Sequence, residues 1–147
     1  MMPFEKYPGD GAELLPRMAS GTARRDYGLK LQRLTGQTHC AYCGISLVDS
    51  FDHWLLLSVD HVIPSSECKR IGIPTDWAES YSNTVLCCLG CNGFGNRYTI
   101  PWNESAETWS LDRFFCLRNR VFDDRKSKIM FRRAEEVRFF ENKPWSH

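Results

Sequence analysis

Residues 83–92 read NTVLCCLGCN, and residues 40–43 read CAYC. Cys40-Ala-Tyr-Cys43 and Cys88-Leu-Gly-Cys91 have the same spacing, with 44 residues between them. A CxxC turn aims two sulfurs at one point, and two such turns complete a tetrahedral Zn²⁺ shell. Gly44 and Gly90, beside the turns, permit the tight backbone this needs. Buried thiols or a redox CxxC would not call for a matched second pair. Cys87 adjoins Cys88, and only the spacing to Cys91 selects Cys88 as the ligand. With all four positions taken by protein, the expected zinc is structural, and its binding energy is folding energy. Cys68 and Cys116 stand alone and read as core or incidental positions.

A zinc staple does not explain SVDHVIP at residues 58–64. Asp60 and His61 stand side by side at the end of an apolar run, where ionisable groups are costly unless paired. Asn83 opens the run that leads to the second knuckle, and Asn92 directly follows Cys91. A strand, a loop, a second strand and a helix folded around the zinc would bring Asp60, His61 and Asn92 together. A carboxylate and an amide oxygen are hard ligands suited to Mg²⁺ or Mn²⁺. A neutral imidazole beside them can take a proton from water. These are the parts of metal-assisted phosphodiester hydrolysis.

The combined pattern, CxxCG, then VDHVIP, then NTVLCC and CxxCN, resembles the HNH endonuclease family over roughly residues 39–98. The resemblance implies a ββα-metal core braced by two zinc knuckles, with His61 as general base. It implies that Asp60 and Asn92 hold one catalytic divalent ion and that Asn83 orients the histidine loop. Asn92 stands where other members carry histidine, which makes this an HNN variant. Many relatives place a lysine shortly after that position. Here the sequence runs NGFGNRY, and Arg97 is the candidate for that phosphate contact. The glycine pair common after the loop proline is replaced by SSECKRIG.

The 147 residues, 42% hydrophobic and 13% aromatic, suit one compact domain. No apolar run approaches the roughly 20 residues of a membrane span, and MMPFEKYPGDGAELLP lacks a signal-peptide core. An intracellular, cytoplasmic setting is the expectation, and it disfavours disulfides. Charge is uneven along the chain. Residues 1–39 carry six Lys/Arg against four Asp/Glu, residues 40–112 three against nine, and residues 113–147 ten against five. An acidic centre between basic ends suits a cation site flanked by phosphate contacts.

The expected organisation is an N-terminal arm and basic helix at 1–38, the core at 39–98 and a basic helical extension at 99–147. Residues 1–21 read as an irregular arm. A helix is expected over residues 22–36, capped by Thr22, with WLLLSV as a buried strand and residues 64–82 as a loop containing one helical turn near TDWAES. NTVLCC is the second strand, followed by a short helix over residues 89–98. From Ser110 onward the chain is strongly helical, with a break expected near residues 123–126. Arg118, Arg125 and Arg132 recur every seven residues and are expected to share a phosphate-binding face, joined by Arg24 and Arg25.

The sequence therefore reads as an α+β nuclease acting on nucleic acid, DNA rather than RNA, with structural Zn²⁺ and catalytic Mg²⁺ or Mn²⁺. The alternative is a zinc-knuckle nucleic-acid-binding module, which has no reason to keep Asp60, His61 and Asn92 together. A cysteine-based redox sensor is a third reading, and it predicts zinc release on oxidation without cleavage.

Overall fold

The computed structural model describes residues 2–8, 14, 23–104 and 108–146. The centre is a two-stranded antiparallel sheet of β1 (Leu57–His61) and β2 (Thr84–Cys88), in the register Leu57↔Cys88 to His61↔Thr84. Every residue of β2 is buried, as its TVLCC composition demands. Helix α5 (Leu89–Phe94) leaves β2 with no intervening loop, and Cys88 caps it by accepting from the backbone N–H of Cys91. A strand–strand–helix finger of the α+β class is thereby complete.

The connection between the strands is more ordered than its composition suggests. Residues 64–82 contain two helices, α3 (Ser65–Ile71) and α4 (Thr75–Ala78), where the sequence predicts a loop with one turn. A proline precedes each helix, and Gly72 ends α3 at φ 82°. The decisive anchor is Glu67, which accepts from Arg70 Nε at 2.6 Å, Arg70 Nη2 at 3.0 Å and the Ile100 backbone at 2.6 Å. The Arg70 hydrogen bond, with help from the Ile100 amide, outweighs burial and holds the Glu67 carboxyl below its usual range. A depressed folded-state pKa means stability that is present above the unfolded value of about 4.3 and is lost as pH falls through the folded value. Glu67→Gln is expected to cost about 1–3 kcal/mol at neutral pH. It should also flatten the acid limb of the stability profile, as measured by urea unfolding at several pH values.

Other elements depart from the sequence reading. The first strand begins three residues later than the WLLLSV run suggests, because Phe51–Leu55 form a helix (α2) capped by Ser50. The N-terminal helix starts as a π-helical stretch, Ala23–Gly28, and continues as α1 (Leu29–Thr35), ending at Gly36 with φ 71°. Thr22 lies outside the described residues. The arm is not wholly irregular: Pro3–Lys6 form a 3-10 turn, Phe4 and Tyr7 are buried, and the Tyr7 hydroxyl donates to the Thr84 carbonyl.

Helix α5 ends at Phe94 instead of reaching residue 98. Gly95 follows because a Cβ there would lie 2.8 Å from Arg125 Nη2 and 2.9 Å from Ile129 Cδ1. Helix α6 (Leu111–Glu141) runs unbroken for 31 residues, about 46 Å. The expected break at residues 123–126 is absent because two of the four charged residues there, Asp124 and Arg125, are held. Asp124 accepts from Tyr98 at 2.6 Å and Lys128 at 3.0 Å, and Arg125 is anchored in the core. Among the described residues, no helix is long and apolar enough to cross a membrane.

Candidate active site and metal centre

The four knuckle cysteines converge. One sulfur from each of Cys40, Cys43, Cys88 and Cys91 lies within 4.8 Å of all the others. Zn–S bonds of about 2.3 Å place tetrahedral sulfurs about 3.8 Å apart, and the Cys43–Cys88 sulfur separation is 3.8 Å. In each knuckle the backbone N–H of the second cysteine points to the first sulfur at 3.4 Å. Gly44, at φ 80°, closes the first turn. The crowding changes the thiols: hydrogen bonds with Cys40 and Cys91 pull the Cys88 thiol well down, and hydrogen bonds with Cys40 and Cys88 push Cys91 up. Cys87 points away into the core, so the spacing argument for Cys88 agrees with the geometry. Cys68 is buried and Cys116 exposed.

Apart from the cysteine cluster, a cavity of about 360 Å³ is lined by Asp60, His61, Asn92 and Arg97. Strand β1 delivers the first two and α5 carries Asn92. Arg97 sits in the turn after α5 at φ 61°, a left-handed conformation that costs a non-glycine residue energy. Asn83 lies behind the cavity. Its amide donates to the carbonyls of Ile63 and Ala78 at 3.0 Å each and accepts from Ile63 N–H at 3.1 Å. It clamps the chain two residues past His61.

Residues 40–94 match the family model of HNH endonuclease. The HNH segment spans 55 of the 147 residues. No curated protein and no solved structure matches the chain. Inside the HNH segment the first knuckle, the Asp60–His61 pair, Asn83, the second knuckle and Asn92 all fall in one folded unit.

The contacts of the Asp60 carboxylate are the least expected feature of the HNH segment. It is 8% exposed and accepts from Tyr42 Oη at 2.6 Å through Oδ2. Arg125 of α6 spans it, with Nη1 to Oδ2 at 2.8 Å and Nη2 to Oδ1 at 3.3 Å. A carboxylate has about four lone-pair positions, and these partners engage three, so Asp60 fits a cation as a monodentate ligand through Oδ1. Asn92 Nδ2 donates to Ser58 Oγ at 3.1 Å, which leaves Oδ1 as the atom that could ligate a cation. One oxygen from each residue, with water or phosphate supplying the rest, suits Mg²⁺ or Mn²⁺ better than a protein-only cage.

Arg125 and Arg118 correct the expected phosphate-binding face. Arg125 is 3% exposed and also donates to the carbonyls of His61 (2.7 Å), Val62 (2.9 Å) and Gly95 (2.9 Å). Arg118 is buried, donates to the Ser82 carbonyl at 2.7 Å and lies over the rings of Phe4 and Phe115. Burial lowers its pKa to about 10. Both arginines lie on the helical stripe of Phe114, Val121 and Ile129, so they face the core. Of the three, Arg132 is exposed. Arg24 donates to the Leu55 carbonyl at 3.1 Å, and Arg25 is exposed.

Breaking a buried ion pair costs about 3–5 kcal/mol because the remaining charge stays unpaired. Arg125→Met is expected to lose stability of that order in chemical unfolding, and Arg125→Met with Asp60→Asn to recover part of it. If the double variant is no more stable than the single one, the pair is not the source of the loss.

Sequence reasoning missed Glu79. Its Oε2 lies 3.6 Å from His61 Nε2, a buried atom with no hydrogen-bond partner among the described residues. That separation is longer than a hydrogen bond. A carboxylate on that side still favours a proton on Nε2, leaving the lone pair on Nδ1. No spacing rule links Glu79 to His61, because helices α3 and α4 create the contact. Tyr42 was equally hidden, as an interior residue of the first knuckle.

Proposed function

We propose that the protein is a zinc-braced endonuclease that hydrolyses phosphodiester bonds in DNA. The observation that carries this is the single cavity shared by Asp60, His61, Asn92 and Arg97. A non-catalytic binding module has no use for a base and two hard oxygen donors in one place.

In this reading Cys40, Cys43, Cys88 and Cys91 hold zinc and fix β2 and α5 relative to the first knuckle. Asp60 and Asn92 hold one Mg²⁺ or Mn²⁺ ion, which when bound neutralises charge on the phosphate and the departing oxygen. His61 accepts a proton from the attacking water, and Glu79 favours the tautomer that can do so. Asn83 keeps the His61 loop in place through Ile63. Arg97 and the exposed Arg25 and Arg132 contact phosphates, with Arg24 next to Arg25 on a helical stretch packed against β1. Arg118 and Arg125 serve the core.

The test is plasmid cleavage across a panel of divalent ions, with and without EDTA. Cleavage that requires Mg²⁺ or Mn²⁺ supports the nuclease. Tight DNA binding without cleavage under any ion would leave the zinc-knuckle binding module as the better account.

A further inference from the structure

A second cavity of about 490 Å³ adjoins the one described, between the end of α5 and the middle of α6. The two share Gly95, Asn96, Arg97, Tyr98 and Arg125 in their linings, so they lie side by side along that wall. The volume lies within the range of small-ligand sites, roughly 300–1,000 Å³. Among the described residues, four cationic side chains line it and no acidic one does. Two are engaged elsewhere: Arg125 pairs with Asp60, and Lys128 with Asp124. Arg97 and Arg132 make no ion pair among the described residues and lie free for an anionic ligand.

Three aromatic rings, Phe94, Tyr98 and Phe131, stand among these cations. Arg132 already covers Phe94 at 5.6 Å, and Lys128 covers Tyr98 at 5.2 Å. Phe131 has no such cover among the described residues and is 63% exposed. An apolar ring held open in a basic groove fits a ligand that is anionic along one edge and flat on one face. A nucleotide has that form. In an intact duplex each base face is covered by its neighbours, so Phe131 could stack only on an unpaired base.

We infer that this groove binds an unpaired nucleotide next to the scissile phosphate, so that the preferred substrate contains single-stranded DNA at the cleavage point. Phe131 is the stacking platform, and Arg97 and Arg132 hold the flanking phosphates. The inference rests on the nuclease reading, because the second cavity matters to the substrate only if the first receives the reacting phosphate.

Binding is measured by fluorescence anisotropy with zinc-loaded His61→Ala protein, so the probes stay intact. The probes are labelled DNA of one sequence in single-stranded, gapped and fully duplex forms. Single-stranded and gapped DNA should bind more tightly than duplex. Phe131→Ala, at an exposed position that should not disturb folding, should weaken binding to those two forms about tenfold, the effect of losing one stacked base. Duplex binding should change less than about twofold. Arg132→Gln should weaken all forms and reduce the salt slope by about one. If Phe131→Ala changes every form equally or none, the groove is not a base platform and the inference fails, while the nuclease reading stands. If no form of DNA binds at all, both fail together.

Discussion

Cys43→Ser is expected to leave the protein largely unfolded, with zinc content in purified material falling well below one per chain. Structural zinc contributes roughly 10–16 kcal/mol in small zinc-binding peptides, which exceeds the whole stability of a typical domain, about 5–15 kcal/mol. The finger here depends on the staple to an unusual degree. The sheet has only two strands, which are marginal without support. The first knuckle reaches β2 through a backbone bond beside the cysteine cluster, Ala41 N–H to the Leu86 carbonyl at 2.9 Å. Circular dichroism and elemental analysis read the outcome. Dialysis against EDTA followed by excess Mg²⁺ separates the two metal roles, because Mg²⁺ should not restore the fold. A zinc-free preparation with an unchanged spectrum and unfolding midpoint would refute the staple.

The sequence made the finger legible because its constraints are local. Knuckle spacing follows from sulfur geometry, and TVLCC can only be a fully buried strand. The flanks obey longer-range rules. Arg118 and Arg125 invite a surface reading because arginine is usually exposed, yet their positions relative to Phe114, Val121 and Ile129 put them on the apolar stripe. Periodicity favoured the core and residue type favoured solvent, and tertiary contacts decided for the core. The carbonyls of Ser82, His61, Val62 and Gly95 await donors, and the two guanidinium groups supply them. The sequence cannot show an acceptor left over at the end of a distant strand. The Glu79–His61 contact was hidden for a related reason: two short helices, of which only a turn near TDWAES was expected, bring Glu79 back to the histidine.

That arrangement changes how the two halves of the Asp60–His61 pair should be tested. His61→Ala removes the proposed base but leaves the oxygen donors of Asp60 and Asn92. The His61 side chain is 29% exposed, so its loss should cost little stability. Cleavage should fall by roughly 10²- to 10⁴-fold while affinity for Mn²⁺ and for DNA stays near wild type. Asp60→Ala, the obvious companion, would strand the buried Arg125 guanidinium and confuse catalysis with folding. Asp60→Asn is the cleaner variant, because the amide keeps an oxygen for Arg125 and for Tyr42 while losing the charge that attracts a divalent ion. Its cleavage should fall together with Mn²⁺ affinity, and excess Mn²⁺ should restore part of the activity. Calorimetric Mn²⁺ titration of the zinc-loaded proteins, beside single-turnover cleavage, separates the two patterns. Folded His61→Ala protein that cleaves at near wild-type rate would remove the histidine from the mechanism. Unchanged Mn²⁺ affinity in Asp60→Asn would mean that Asp60 serves Arg125 alone and that the ion is held elsewhere.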